Sequence, residues 1–210
     1  MNDFVYSYPT KVYFGKASAA KALKAELGAD VKTVMLAYGG GSIKKNGIYD
    51  ELTSILWDAG KKIVEFSGIM SNPTYAKVQM GAKLAREQHV DMILGVGGGS
   101  VVDCCKMVAV QAKTDRDLWE MEFAHRELPS DAIPMGAIVT ASGTGAEMNG
   151  GAVITNEEKK IKTGMLGFAP RFAVLDPAYT LSVPRMQVIS GAFDTLSHAL
   201  ETYLGSSDRD

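Results

Sequence analysis

Cysteine is scarce in this chain: there are two, and they are adjacent at Cys104-Cys105. Neighbouring positions on a helix point in different directions and do not bridge easily, and the CxxC spacing that holds zinc is missing. Both thiols therefore read as small core-filling side chains, and a disulfide-stapled scaffold is not expected. Long hydrophobic runs are missing too. The longest, such as Met92-Ile93-Leu94-Gly95-Val96, are far too short to cross a bilayer. The N-terminus, Met-Asn-Asp-Phe-Val-Tyr, has no basic segment followed by an apolar one. No secretory signal is expected, and the cytoplasm is the expected compartment. A net charge of -2 argues against a general affinity for nucleic acid or anionic membrane. There is no internal repeat and no low-complexity tract.

What is present is the composition of a soluble globular protein, 46% apolar and 22% charged over 210 residues. That length falls between one and two ordinary domains. Residues 4–8 and 11–14 cluster β-formers around Pro9, which predicts a small hairpin or two edge strands. An Ala-, Lys- and Leu-rich helix follows from Ala17 to Leu27, with Gly28 placed to cap it. Thr33 to Tyr38 is then a continuous apolar run, as a buried parallel strand should be. The cycle repeats with a helix at 47–59, a strand at 62–66, a helix at 74–88, a strand at 91–96 and a helix through Val110. Strands separated by helices of this length predict a parallel sheet covered on both faces. After Asp115 the rhythm changes: a strand at 134–140, a hairpin at 151–155 and 160–165, a last strand from Phe172, and a helix from about Pro184 to Tyr203. His89 reads as a helix-end residue and His125 as a surface one.

The chemistry lies where strands empty into glycine. Gly97-Gly98-Gly99-Ser100 joins a parallel strand to a helix, so bare backbone N–H groups face outward at a helix N-terminus. A pyrophosphate can approach such a main chain closely, and the helix dipole favours its charge. The usual GxGxxG fingerprint is not matched, and a tight turn is the competing reading. Gly39-Gly40-Gly41-Ser42 is a second such loop, followed by Lys44 and Lys45. Ligands of open α/β sheets bind beyond the carboxyl ends of strands, so both loops are expected to face one crevice. An acid in the second loop would bind a ribose diol and repel a 2′-phosphate; its absence favours NADP(H) over NAD(H). Thr140-Ala-Ser-Gly-Thr-Gly145 is a third small, hydroxyl-rich loop whose Thr140, Ser142 and Thr144 could donate to cofactor oxygens. Asp194 and His198 lie four apart on the last helix, hence on one face and within joint reach of one ion. A carboxylate with an imidazole suits Fe(II), Zn(II) or Mn(II), although two ligands are too few for a tight site and a surface pair is the competing reading.

Taken together, these motifs resemble the iron-containing (group III) alcohol dehydrogenases, in particular the NADPH-linked butanol dehydrogenase and aldehyde reductase branch. The resemblance runs through Phe4…Pro9-Thr10…Phe14-Gly15, Tyr38 to Lys45, Asn72-Pro73, Gly97 to Asp103, Ile133 to Gly136, Thr144 to Glu147, Phe172 to Pro177 and Asp194…His198. It implies an α/β fold: a parallel-sheet, dehydroquinate synthase-like dinucleotide-binding domain over 1–181, then the start of an all-helical domain at 182–210. It implies that Gly97, Gly98, Gly99 and Ser100 hold the pyrophosphate, with Asp103 on the nicotinamide side. Gly39, Gly40 and Ser42 would surround the adenosine ribose, and Asn72, Thr140, Ser142, Thr144, Asn149 and Lys162 would line the rest of the cofactor. Asp194 and His198 would be the first two ligands of a divalent metal, Fe(II) or Zn(II). Ala146 stands where the family usually has a serine, which removes one possible donor.

The implied activity is interconversion of primary alcohols and aldehydes, butanol and butanal in type, by hydride transfer with NADP(H). A metal would polarise the substrate oxygen. No side chain is singled out as a general acid. The expected partners are a small alcohol or aldehyde and further copies of the chain, with neither nucleic acid nor membrane. In the family two further histidine ligands come after the Asp/His helix, whereas this sequence stops at Asp210. The expectation is accordingly a truncated or separately made N-terminal part, or one half of a split enzyme. Two other readings stand beside it. One is a non-catalytic nucleotide-binding module; the other is a lyase of the related dehydroquinate synthase fold, using NAD and zinc.

Overall fold

A computed structural model describes residues 8–205. Strand β1 (Lys11–Phe14) leads to helix α1 (Ser18–Glu26), strand β2 (Thr33–Tyr38), a single turn α2 (Ser42–Lys45) and helix α3 (Ile48–Asp58). Strand β3 (Lys62–Phe66), helix α4 (Tyr75–Glu87), strand β4 (Met92–Gly97) and helix α5 (Gly99–Gln111) follow. A π-helical turn at Glu120–Ala124 precedes β5 (Met135–Val139). The chain then forms β6 (Gly151–Asn156), β7 (Ile161–Leu166), β8 (Phe172–Leu175) and the long helix α6 (Arg185–Leu204).

Six of the strands make one all-parallel sheet in the order β1-β8-β5-β4-β2-β3. Every residue of β2, β4 and β5 is buried, which is why those segments carry no polar alternation. Successive side chains of β2 point to opposite faces. Met35 and Ala37 pack in one core cluster with residues of α4 and α5, while Val34, Leu36 and Tyr38 pack in the other with residues of α1 and α3. The mixed α/β architecture with a parallel sheet and helices on both sides is as expected, with a helix closing the described chain.

Two expectations change. Strand β1 is an edge strand, but it joins no hairpin: it pairs in parallel with β8, Lys11 opposite Phe172 and Phe14 opposite Leu175. Residues 4–7 of the expected pair lie outside the described residues. The reason is the crossover rule, since a parallel edge strand must find a partner distant in sequence. Helix α1 ends on Leu27, whose own N–H closes the last turn onto Leu23, and Gly28 is not left-handed. His89, by contrast, sits just past α4 in the left-handed region at φ 51°, donating its N–H to Arg86. β6 and β7 do form the expected antiparallel hairpin, as a separate two-stranded sheet. Among the described residues no helix is long and apolar enough to cross a membrane.

Candidate functional site

Parallel strands all end on the same side of a sheet, so the loops after β2, β4 and β5 converge there. The loop after β4 is central. Gly98 is the N-cap of α5 and no side chain caps it, leaving the first turn of the thirteen-residue helix facing open space. Its neighbours explain the small residues around it. A β-carbon on Gly98 would meet Ala141 at 3.5 Å, and one on Gly99 would press the Thr144 hydroxyl at 3.2 Å. The loops after β4 and β5 are therefore packed against each other at the helix N-terminus.

Two cavities open on either side of this helix end. The first, about 500 Å³, is bounded by Gly39, Gly40, Ser42, the Gly97–Ser100 loop and Thr140, and also by Ser182 and Gln187. The second, about 490 Å³, is bounded by Asn72, Asp103, Ser142, Thr144, Lys162 and Asp194. Both share Gly98, Gly99, Ser100 and Ala141, so they form one cleft with the α5 N-terminus at its waist. At Gly40 a β-carbon would meet nothing within 4 Å. The protein's own packing does not demand glycine there, and the free space belongs to the cleft.

The electrostatics differ between the halves. In the second cavity the Lys162 ammonium donates to Asn72 Oδ1 at 2.7 Å, fixing both groups at the wall. Burial pushes the Asp103 carboxyl above its ordinary range, although the Val153 N–H donates to it at 3.0 Å and Lys106 stands 3.6 Å away. On the first side, Glu65 of β3 is the nearest acid along the strand next to β2. Its carboxylate is engaged by the hydroxyls of Tyr38, at 2.5 Å, and Tyr49, and by Lys44 at 3.3 Å, and it does not border the cleft.

Fourteen of the sixteen residues singled out from sequence border this cleft, and two stand outside it. Asn149, an exposed residue, accepts from Lys106 through Oδ1 and donates to Gly145 O, and does not border either cavity. His198 lies one turn beyond Asp194 on α6, with Nε2 3.7 Å from Asp194 Oδ1 and Nδ1 3.6 Å from Glu201. Asp194 itself borders the second cavity. Among the described residues no group of three or more His, Cys, Asp or Glu side chains is placed to hold a metal ion. The Asp194/His198 donor set suits a divalent ion chemically, but it fills only half of a tetrahedral shell. Sequence reasoning missed Lys106, whose neighbours on α5 are mostly apolar. It also missed Ser182 and Gln187, which carry no motif. Burial pushes the Cys104 thiol up to about 12 and Cys105 well above its usual value, so both are inert core residues.

The model of the family described as "Iron-containing alcohol dehydrogenase" matches residues 9–177. This chain belongs to that family. Its relatives include the butanol dehydrogenase and aldehyde reductase branch. "Probable NADH-dependent butanol dehydrogenase 2" of Bacillus subtilis is 44% identical over 205 residues, covering 97% of this chain and 52% of that protein. "NADPH-dependent aldehyde reductase YqhD" of Escherichia coli is 39% identical over 209 residues, covering 97% and 53%. Among solved structures, NADH-dependent butanol dehydrogenase A from Thermotoga maritima superposes with a TM-score of 0.90 at 41% identity, covering 96% of this chain and 51% of that one. The chain thus spans about half the length of the curated relatives it matches. Among these relatives the butanol dehydrogenases are named for NADH and the aldehyde reductase for NADPH.

Proposed function

We propose that this member of the iron-containing alcohol dehydrogenase family binds a nicotinamide dinucleotide along the two-part cleft, with the pyrophosphate on the main chain of Gly97–Ser100. One observation carries the reading: the two cavities meet at the uncapped N-terminus of α5, where an anion is stabilised and the next wall is glycine. Gly39, Gly40 and Ser42 take the adenosine ribose; Asn72, Asp103, Ser142, Thr144 and Lys162 take the nicotinamide half, with Thr140 between them. NADP(H) is the preferred cofactor. The loop after β2 has no acid to repel a 2′-phosphate, and Glu65 is held away by two tyrosines and Lys44.

As these 210 residues stand, the chain is a nucleotide-binding unit. Asp194 and His198 contribute the first part of a divalent metal site, Fe(II) or Zn(II), whose other ligands are not among the described residues. When bound, NADPH supplies the hydride for reduction of an aldehyde to a primary alcohol. The protein's part is to hold C4 of the ring against the substrate carbon. That overall reaction, on butanal-like substrates and in the cytoplasm, belongs to an assembly that supplies the missing ligands. The first 181 residues form the dinucleotide-binding domain, of dehydroquinate synthase-like type, and α6 opens a helical one.

Titration with NADPH and NADH, followed by nicotinamide fluorescence, tests the proposal. Saturable binding of both is expected, tighter for NADPH, with no reduction of butanal when Fe(II) or Zn(II) is added. Binding of neither cofactor would remove the cleft assignment. Turnover by this chain with stoichiometric metal would overturn the reading of it as a nucleotide-binding unit only.

A further inference from the structure

Lys106 is among the largest fully buried side chains of the described residues, only 1% exposed, and is the one lysine or arginine among them in the buried class. An isolated ammonium in such a place is strongly disfavoured by the loss of water, and a fold needing only core volume is served better by leucine or methionine. Its partners indicate what the charge is for. The Lys106 Nζ donates to the Gly151 carbonyl at 2.6 Å and to Asn149 Oδ1 at 3.1 Å, and it stands 3.6 Å from Asp103 Oδ1. The other oxygen of Asp103 accepts from the Val153 N–H at 3.0 Å. The Asn149 amide continues the chain of contacts, donating to Gly145 O at 3.2 Å. One cation thus ties α5 to the loop after β5 and to the first residues of β6. Asp103, Thr144 and Val153, which border the second cavity, lie on the segments so tied, and Lys162, which borders it too, stands on β7, the strand paired with β6.

We propose that Lys106 is a positioning residue for the second cavity: from beneath the floor its ammonium fixes Asp103 and the Asn149–Val153 segment, and through them the walls that carry Thr144 and Lys162. The identity of the occupant rests on the cofactor reading above; the anchoring does not. Loss of the cation leaves the half-buried Asp103 carboxylate without its counter-ion, and burial then favours the neutral acid more strongly. Charged groups facing this pair are few. Glu147 acts on Lys106, while Lys162 and Asp194 border the same cavity as Asp103.

The test uses the full chain and Lys106→Met, with two readouts that do not depend on cofactor. Carboxyl NMR follows the titration of Asp103, and amide hydrogen exchange follows Val153 against Leu36 in the sheet interior. The expected result is an upward move of the Asp103 midpoint by about one unit or more, equivalent to a factor of ten in protonation. Val153 should exchange at least roughly tenfold faster with Leu36 unchanged, the difference expected of a local opening. NADPH affinity should fall by about tenfold in parallel, as for a lost 1.4 kcal/mol. Should Lys106→Met fail to fold, Asn149→Ala removes one partner, keeps the charge, and should move the same readouts less. If the wild-type chain binds neither cofactor while Asp103 and Val153 respond, the anchoring stands and the cofactor assignment falls. An unmoved Asp103 midpoint and Val153 exchange in the variant that folds, or NADPH affinity unchanged despite them, overturns the proposal.

Discussion

A β-carbon placed on Gly97 would stand 2.6 Å from Cγ2 of Val101, and 2.8 Å from its Cβ, one turn into α5. Gly97 therefore answers to strand–helix packing before it answers to any ligand. Valine is stiff at χ1 and cannot swing aside, so Gly97→Ala must displace the start of α5. The expected cost is about 1–3 kcal/mol of stability, as for other overpacked sites. Thermal or denaturant unfolding of the variant checks it, and a loss below about 0.5 kcal/mol would contradict this assignment of the glycine.

Gly40 gives the opposite expectation. It borders the first cavity, and a β-carbon there meets nothing within 4 Å. Gly40→Ala should leave stability within about 0.5 kcal/mol of wild type, as for ordinary surface changes. It should nevertheless weaken NADPH, because the added methyl occupies space kept for the ligand. Calorimetric titration beside a melting curve separates the two effects. Unchanged affinity would place the adenosine elsewhere.

Cys104 and Cys105 should be unreactive in the folded protein. Burial pushes Cys104 up to about 12 and Cys105 further, so both remain thiols well above neutral pH, and neither is exposed. Treatment with iodoacetamide at pH 8 is expected to label neither until denaturant is added. Stoichiometric native labelling, read by mass spectrometry, would show that α5 opens readily.

The alternation of strands and helices was legible because buried parallel strands are written as unbroken apolar runs, Thr33–Tyr38 and Met92–Val96 being the clearest. The partner of β1 was not, since it lies some 160 residues away and nothing local in Lys11–Phe14 points to Phe172–Leu175. The cleft was legible in its glycines and hydroxyls clustered at three strand ends, although Gly97 also serves strand–helix packing. Its underpinning was not: Lys106 lies in a helix face that otherwise reads as core, and only the tertiary contact with Gly151 and Asn149 gives it a role. Asn149, expected to line the cofactor, does not border the cleft and bonds Lys106 and Gly145 O instead, contacts that no local pattern announces.

Glu26 should set part of the acid limit of stability. Its side chain is 1% exposed yet takes Lys11 at 2.6 Å, the Tyr13 hydroxyl at 2.6 Å and Arg171 at 3.2 Å, joining α1 to the β1–β8 edge. Burial alone would raise its titration point, but the hydrogen bonds and cations outweigh it, and the carboxyl titrates below its ordinary 4.5. A depressed folded value contributes stability that is present above the ordinary carboxylate range and is lost as pH falls through the lower one. Glu26→Gln should cost about 2 kcal/mol at pH 7, typical of a charged hydrogen bond left unmade. It should also flatten the fall in stability below about pH 4.5, the ordinary value of the acid. Equal acid limbs in the two proteins, measured by urea unfolding across pH, would contradict this role.

Helix α6 has twenty residues and none is buried. Val188, Phe193, Leu196 and Leu200 are all exposed, Phe193 by 68%. Its contacts with the body are slight: Gly191 lets it approach the Ser142 carbonyl, where a β-carbon would stand 2.6 Å away, and the Thr195 hydroxyl donates to Gly143 O at 3.1 Å. A contiguous apolar face of this kind is seldom left in water by a monomer. The chain as it stands is therefore expected to self-associate, with multi-angle light scattering giving a mass that rises with concentration. The double change Phe193→Ser and Leu200→Ser should restore the monomer without altering NADPH affinity, because neither side chain borders the cleft. Gly191→Ala should instead lift α6 from the loop after β5 and weaken binding at the second cavity, leaving association intact. A monodisperse monomer for the unaltered chain would remove the premise that the α6 face drives association.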